Sequence, residues 1–342
     1  MISALLSEKP EMIDGYHEYR RATYLLLYQA VKKEGLLSYL REQHSMPEIS
    51  QEFGFIAERE RTLRAVLGAL ITLGAIGSDT SDGTERFARR DPDDADDAEP
   101  EAVAKPVDLD LLRRVIGAER AEGVVYAQQI PEAIDYLRGN RDGNQFDAGQ
   151  LSRWQSLLEF PYWEFGRRAC AQVISRPGAR VADLACGLGH GVRELAELVG
   201  PDGSVLGVEL SADFVRLASE GLPPNASIRQ GDLNDGVAFL DERSLDGAMI
   251  SGAFHFVREK DAFLRDLFHV IVPGGKVALG NVVRKTEAFD QAAHDITCSM
   301  LTPPVIMSTP DELRSAISVS GFELLDAFDD FGCVGWYELV RP

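Results

Sequence analysis

From Ala179 onward the chain alternates apolar, strand-like runs with amphipathic helical ones, and nothing else in the sequence limits the fold as tightly. RVADLAC, SVLGVEL, ASIRQGDL, LDGAMISGA and GKVALGNVV have the character of strands, while GVRELAELVG, ADFVRLASEGL and DAFLRDLFHVI read as helices. A connection between parallel strands needs a dozen or more residues and lays a helix against the sheet. The pattern therefore predicts an α/β fold with a parallel sheet covered on both faces. After the helix in TPDELRSAISVSGF, two further strands are joined too briefly for a crossover, which makes the last strand antiparallel.

The N-terminal third is different. GLLSYLREQHSMPEISQEFGF reads as a helix, a break at Pro47, a short second helix and a turn at Gly54. In ERERTLRAVLGALITLGAIG, Leu63, Val66, Leu67, Leu70 and Leu73 recur at helical spacing before Gly74. GAIGSDTSDGTERFARR then has hairpin chemistry, with Asp82 and Gly83 at the tip. Three helices and a hairpin predict a mainly helical, winged-helix-like domain. The acidic run DPDDADDAEPEAVAKP has no apolar period and reads as an exposed linker, and the aromatic-rich helical segment after it as a bridge. The expected divisions are a winged-helix-like domain with its linker over 1–104, a helical bridge lining a pocket over 105–165, and the α/β domain over 166–342.

Charge and composition narrow the partners. Lys and Arg number 35 against 55 Asp and Glu, a net charge of -20. This argues against nucleic acid or an anionic membrane, because phosphate binding is driven by clustered cations. Cys170, Cys186, Cys298 and Cys333 form no C-x-x-C pair, and no apolar run approaches the length of a bilayer span. A cytoplasmic, unexported protein is expected. Acids and histidines are too scattered for a zinc or magnesium site, so no metal is expected.

The segment VADLACGLGHG places Asp183 at the end of the first predicted strand and Gly187, Gly189 and Gly191 in the turn after it. In an open parallel sheet, ligands bind outside the carboxyl ends of the strands, and glycines let backbone approach them closely. Glu209 ends the second strand and Asp232 the third, in RQGDL. Strand ends gain nothing from unpaired carboxylates, so a nucleoside ligand explains the three acids better than folding does. The spacing is G-x-G-x-G instead of the dinucleotide G-x-G-x-x-G, and an acid beside the loop opposes a pyrophosphate while suiting a cation. S-adenosylmethionine, with its sulfonium and ammonium, meets that condition.

These residues, with GVEL, GDL, VPGGKV and the closing hairpin, resemble the class I S-adenosylmethionine-dependent methyltransferases over roughly residues 150–342. The resemblance implies a Rossmann-like methyltransferase sheet, S-adenosyl-L-methionine as cofactor and S-adenosylhomocysteine as its product. It places Asp183, Gly187 and Gly189 around the methionine half, Glu209 at the ribose, and Asp232 and Leu233 at the adenine, with Leu210 and Ser251 also at the cofactor. VPGG is read as a tight turn, Pro273 before Gly274, leading into the fifth strand. The N-terminal part is similar to plant-type small-molecule O-methyltransferases, whose winged-helix domain serves dimerisation. That likeness implies a homodimer, with YAQQIPEAIDYLRGN as a pocket-lining helix and AAHDITCSMLTPPVIM as a late active-site helix.

His255, in ISGAFHFV, falls where the plant-type family keeps its catalytic His, although Phe256 and Val257 depart from the family context. It is read either as a general base or as a pocket-lining residue. A small-molecule pocket is expected from Tyr126, Gln129, Tyr136, Tyr162, Trp163, His255, Arg284 and His294. Against this stand plainer readings: helix packing for about half the aromatics, an exposed Arg284, and a helix-surface His294 beside Asp295. The overall likeness to bacterial enzymes that S-methylate 4-methylthio-2-hydroxybutyrate makes that thioether acid the first expected acceptor. O-methylation of a hydroxylated aromatic with His255 as base is the second reading, and cofactor binding without transfer the third.

Overall fold

The computed structural model describes residues 1–81, 83–90, 100–118, 130, 132–302 and 304–342. The chain divides into two units. One comprises Met1–Pro10, Phe146–Thr286 and Met307–Pro342, the other Glu11–Gln145 and Glu287–Ile306. No described helix is long and apolar enough to cross a membrane.

In the mainly helical unit, helix Pro10–Lys33 is followed by a short helical turn, strand β1 (His44–Ser45) and helix Met46–Phe53. Ser45 and Glu48 close a capping box around the start of that last helix, with Pro47 in its first turn, where a missing N–H costs nothing. Gly54, at φ 64°, ends it. Helix Glu60–Thr72 buries Leu63, Val66, Leu67 and Leu70 on the face predicted from their spacing. Strands β2 (Ile76–Asp79) and β3 (Arg86–Arg89) then form an antiparallel hairpin, and β1 joins it in the order β1-β3-β2. Asp82, at the expected tip, lies outside the described residues. Helix Gln291–Ser299 belongs to this unit too, and Thr62 Oγ1 and Ser299 Oγ share a buried hydrogen bond of 2.8 Å.

The other unit is built on a seven-stranded sheet of β4 (Arg180–Leu184), β5 (Ser204–Glu209), β6 (Ala226–Gln230), β7 (Leu245–Ser251), β8 (Ile271–Val282), β9 (Glu323–Phe331) and β10 (Val334–Val340). The order is β6-β5-β4-β7-β8-β10-β9. Strands β4 to β8 pair in parallel, and β10 is inserted antiparallel between β8 and β9. This is the Rossmann-like α/β arrangement, with the antiparallel last strand predicted from the brief connection. Winding reverses between β4 and β7, which puts the carboxyl end of β4 at the switch point where such sheets bind ligands. One apolar core, including Ala182, Leu184, Val208, Ile250, Leu264 and Leu279, lies beneath.

Three expectations differ from the structure. The 105–165 bridge is not one segment: helices Leu109–Ile116 and Ala133–Arg138 belong to the helical unit, Leu151–Leu158 and Pro161–Ile174 to the sheet unit. Helical periodicity reveals a buried face but not which core it faces. The boundary near 104 likewise corresponds to no division between units, and residues 91–99 of the acidic linker lie outside the described residues. VPGG sits inside β8 instead of before it: Gly274 takes φ 78°, and the β7–β8 register shifts between Leu245 and Gly247. The glycines make an irregularity within the strand, as a bulge does, rather than a turn ahead of it.

Candidate active site

The loop after β4 is held by backbone. The amides of Ala185 and Cys186 both donate to Val208 O of β5, at 2.8 and 2.9 Å, and Gly189 N donates to Cys186 O. Gly187 and Gly189 adopt φ 55° and 77°, and Ala185 is left-handed at φ 69°, a conformation that L side chains resist. Helix His190–Val199 starts directly over Asp183: a Cβ on Gly191 would overlap the Asp183 carboxylate and the Met249 side chain. Asp183 is 3% exposed, and among the described residues none donates a hydrogen bond to it. Burial pushes its carboxyl up to about 7 against the opposing pull of the Arg167 guanidinium.

Glu209, at the end of β5, is also buried. One carboxylate oxygen accepts Gly187 N and the other Ser211 N, each at 2.9 Å. Burial raises its carboxyl, and the backbone amides of Ser211, Gly187 and Leu210 pull in the opposite direction. Leu210 beside it is 60% exposed. Asp232 caps the short turn Leu233–Asp235: its Oδ1 accepts both Asn234 N at 2.8 Å and Asn234 Nδ2 at 2.9 Å, while Leu233 is buried. Asn234 Oδ1 in turn accepts Arg258 N, tying this turn to the segment after β7.

Ser251 ends β7, half-buried, opposite Gly280 of β8. Gly252 follows at φ 76°, leaving room for the Trp163 ring, which lies 3.2 Å from where a Cβ would be. A single turn, Phe254–Phe256, then carries His255, buried, with Nδ1 3.0 Å from Oδ1 of Asn281 on β8. Tyr162 is buried, its ring centroid 5.2 Å from that of Trp163. Arg284 follows β8, half-buried, its backbone N donating to Ser308 O.

The remaining expected pocket residues belong to the helical unit or lie outside the described residues. Tyr126 and Gln129 lie outside the described residues. Tyr136 belongs to the helical unit and has the Arg59 guanidinium 4.0 Å from its ring centroid. His294, also in that unit, is not a helix-surface residue: it is 4% exposed, with Nε2 2.7 Å from Tyr16 Oη, 3.1 Å from Arg20 and 3.2 Å from Asp290. Burial, helped by Arg20, holds its imidazole below the usual range, with Asp290 opposing. Sequence reasoning missed Tyr16, Arg20 and Asp290, which lie some 270 positions from their partners or carry no pattern. It also missed Asn281, although a single amide inside the apolar run VALGNVV was a signal.

Residues 181–275 match the family model described as a methyltransferase domain. That stretch, which runs from β4 into β8, is thus similar to a methyltransferase domain. Among curated relatives, an arsenite methyltransferase of Halobacterium salinarum is 30% identical over 44% of this chain and 39% of its own length. A demethylmenaquinone methyltransferase of Symbiobacterium thermophilum is 30% identical over 44% of this chain and 57% of its own. The chain thus spans less than two thirds of these relatives, and the likeness is to the methyltransferase domain. A solved carbon methyltransferase, CurJ, shares the fold with TM-score 0.67 and 14% identity, covering 99% of this chain and 93% of that one.

The residues around the β4 loop and its neighbours fit a cationic nucleoside. The Asp183 carboxyl and the buried His190 Nε2 and Trp163 Nε1 have no hydrogen-bond partner among the described residues. A buried carboxylate without donors is costly and gains from an ammonium. Each Glu209 oxygen keeps a lone pair beyond the one its amide uses, enough for two ribose hydroxyls.

Proposed function

We propose that this chain transfers a methyl group from S-adenosylmethionine to a small-molecule acceptor. The observation that carries the reading is the pair of buried carboxylates on neighbouring strands, Asp183 without donors and Glu209 fixed by two backbone amides. The cofactor supplies a methyl group already activated by a sulfonium. What the protein has to add is alignment, exclusion of water and, for some acceptors, a place for a proton. Asp183 offers charge to the methionine end. Glu209 and the glycine loop orient the ribose, Leu210 and Leu233 flank the adenine, and Asp232 shapes the turn beneath it. Ser251 and Trp163 bound the space next to His255.

For the acceptor, a buried imidazole on the turn after β7 favours a hydroxylated aromatic or another acid with a transferable proton, His255 being the base. The thioether acid expected from overall likeness has no observation in its favour, since a thioether sulfur has no proton to lose. By their names, the relatives methylate arsenite and demethylmenaquinone. In the helical unit, the strand order β1-β3-β2, with helices Met46–Phe53 and Glu60–Thr72 between β1 and the β2–β3 hairpin, supports the winged-helix reading, and with it a homodimer formed through that unit. Incubation with methyl-labelled cofactor and a panel of phenols, quinols and thioether acids tests the function. Label entering a phenol or quinol supports it; label entering only the thioether acid overturns the role given to His255.

A further inference from the structure

A polar side chain inside a sheet core needs a reason. Asn281 is 0% exposed in a strand whose neighbours are Gly280, Val282 and Val283, where an aliphatic residue would pack without desolvation cost. Its Nδ2 has no hydrogen-bond partner among the described residues, so the amide is held at a penalty. The hydrogen bond it does make is to His255 Nδ1, at 3.0 Å from Oδ1. A carbonyl oxygen only accepts, so Nδ1 carries the proton and donates, and in the neutral ring Nε2 is left as the accepting nitrogen.

We propose that Asn281 is a positioning residue that locks His255 as the Nδ1–H tautomer, leaving Nε2 to take a proton from a methyl acceptor that carries one. The inference rests on the methyltransferase reading above and deepens it by naming the acceptor class: a hydroxyl or an acidified C–H, not a thioether. The choice of an amide over a carboxylate has its own logic. A carboxylate beside Nδ1 favours imidazolium, and a cationic ring would repel the sulfonium of the donor. An amide fixes the same tautomer without adding that charge. In the step, the acceptor atom forms its bond to the methyl carbon and the bonding pair of the broken S–C bond stays on sulfur. The acceptor's proton passes to Nε2, and the imidazolium returns it to water.

The test uses the full-length, ligand-free protein with nitrogen-15-labelled histidine. The expected result is an Nδ1–H signature for His255 at neutral pH in the wild type. Asn281→Leu should convert or mix the tautomers and lower transfer to 3,4-dihydroxybenzoate at least tenfold in kcat with little change in KM for the cofactor. Asn281→Asp, of the same shape and still an acceptor, should restore the Nδ1–H signature and move the acid limb of the rate profile to higher pH. It also covers the case in which the leucine variant does not fold. An Nε2–H signature in the wild type, or a leucine variant with unchanged tautomer and rate, overturns the proposal. Calorimetry with S-adenosylhomocysteine separates the two ideas: absence of binding by the wild type defeats the methyltransferase reading whatever the tautomer.

Discussion

Glu209 accepts the Gly187 amide on one carboxylate oxygen and the Ser211 amide on the other, so the acid that ends β5 also sets the position of the loop that follows β4. Two strands and one loop are thereby fixed by a single side chain. Any ligand that uses Glu209 meets a loop already in place, and this preorganisation spares it an ordering cost.

Glu209→Ala removes the proposed ribose acceptor and the loop's anchor together. Hydrogen bonds to a charged group contribute about 1.5–3 kcal/mol each. S-adenosylhomocysteine should therefore bind on the order of a hundredfold more weakly by calorimetry. Glu209→Gln, which keeps one acceptor, should fall between.

Gly191→Ala puts a methyl group into the Asp183 carboxylate at the first turn of helix His190–Val199. Overpacking of this kind costs about 1–3 kcal/mol. The variant should melt several degrees lower and lose cofactor binding, whereas Gly200→Ala, with open space around its Cβ position, strains only its own backbone at φ 70° and should keep binding.

With Asp183 in its proposed place beside the cofactor, binding should depend on pH. Its carboxyl is raised to about 7 in the folded protein, so between the ordinary carboxylate range and 7 the folded state holds a proton that the unfolded state has lost. This group's contribution to stability therefore declines as pH rises through that window, by on the order of a few kcal/mol. A cationic ligand prefers the ionised form, so binding should tighten from pH 5.5 to 8 with release of a proton. Calorimetry in buffers of different ionisation enthalpy reads this directly, and Asp183→Asn should remove the dependence.

His294 has the opposite sign. Its imidazole is held below the usual range by burial and by Arg20, so as pH falls below about 6.5 the unfolded chain takes up a proton that the folded chain resists. Stability from this group is present above that range and lost as pH drops through it. Chemical denaturation of wild type and His294→Gln at pH 7.5 and 5.5 should show a smaller acid loss in the variant. Tyr16→Phe, which leaves Asp290 and His294 short of a shared hydroxyl, should cost about 1–3 kcal/mol at neutral pH.

The sheet was legible because its strands are apolar runs separated by helical periods, and the antiparallel end because the connection through Gly332 is too short for anything else. The candidate cofactor residues could be picked out because they stand at or beside strand ends: Asp183 is next to last in β4, Glu209 ends β5 and Asp232 follows β6. What the sequence hid were relations between distant segments. Nothing in AAHDITCSM reveals that His294 packs with Tyr16 and Arg20, since a buried polar cluster and an exposed helical face can share the same local pattern. The allegiance of Glu287–Ile306 to the helical unit was hidden for the same reason. Asn281 was visible as an oddity in a strand, but its meaning needed the neighbouring turn to bring His255 against it.

The most direct measurement is titration of the full chain with S-adenosylmethionine at pH 8, beside nicotinamide and flavin dinucleotides as controls. The account predicts saturable heat from S-adenosylmethionine that Glu209→Ala largely abolishes, and none from the dinucleotides. A flat S-adenosylmethionine trace with tight dinucleotide binding would contradict it.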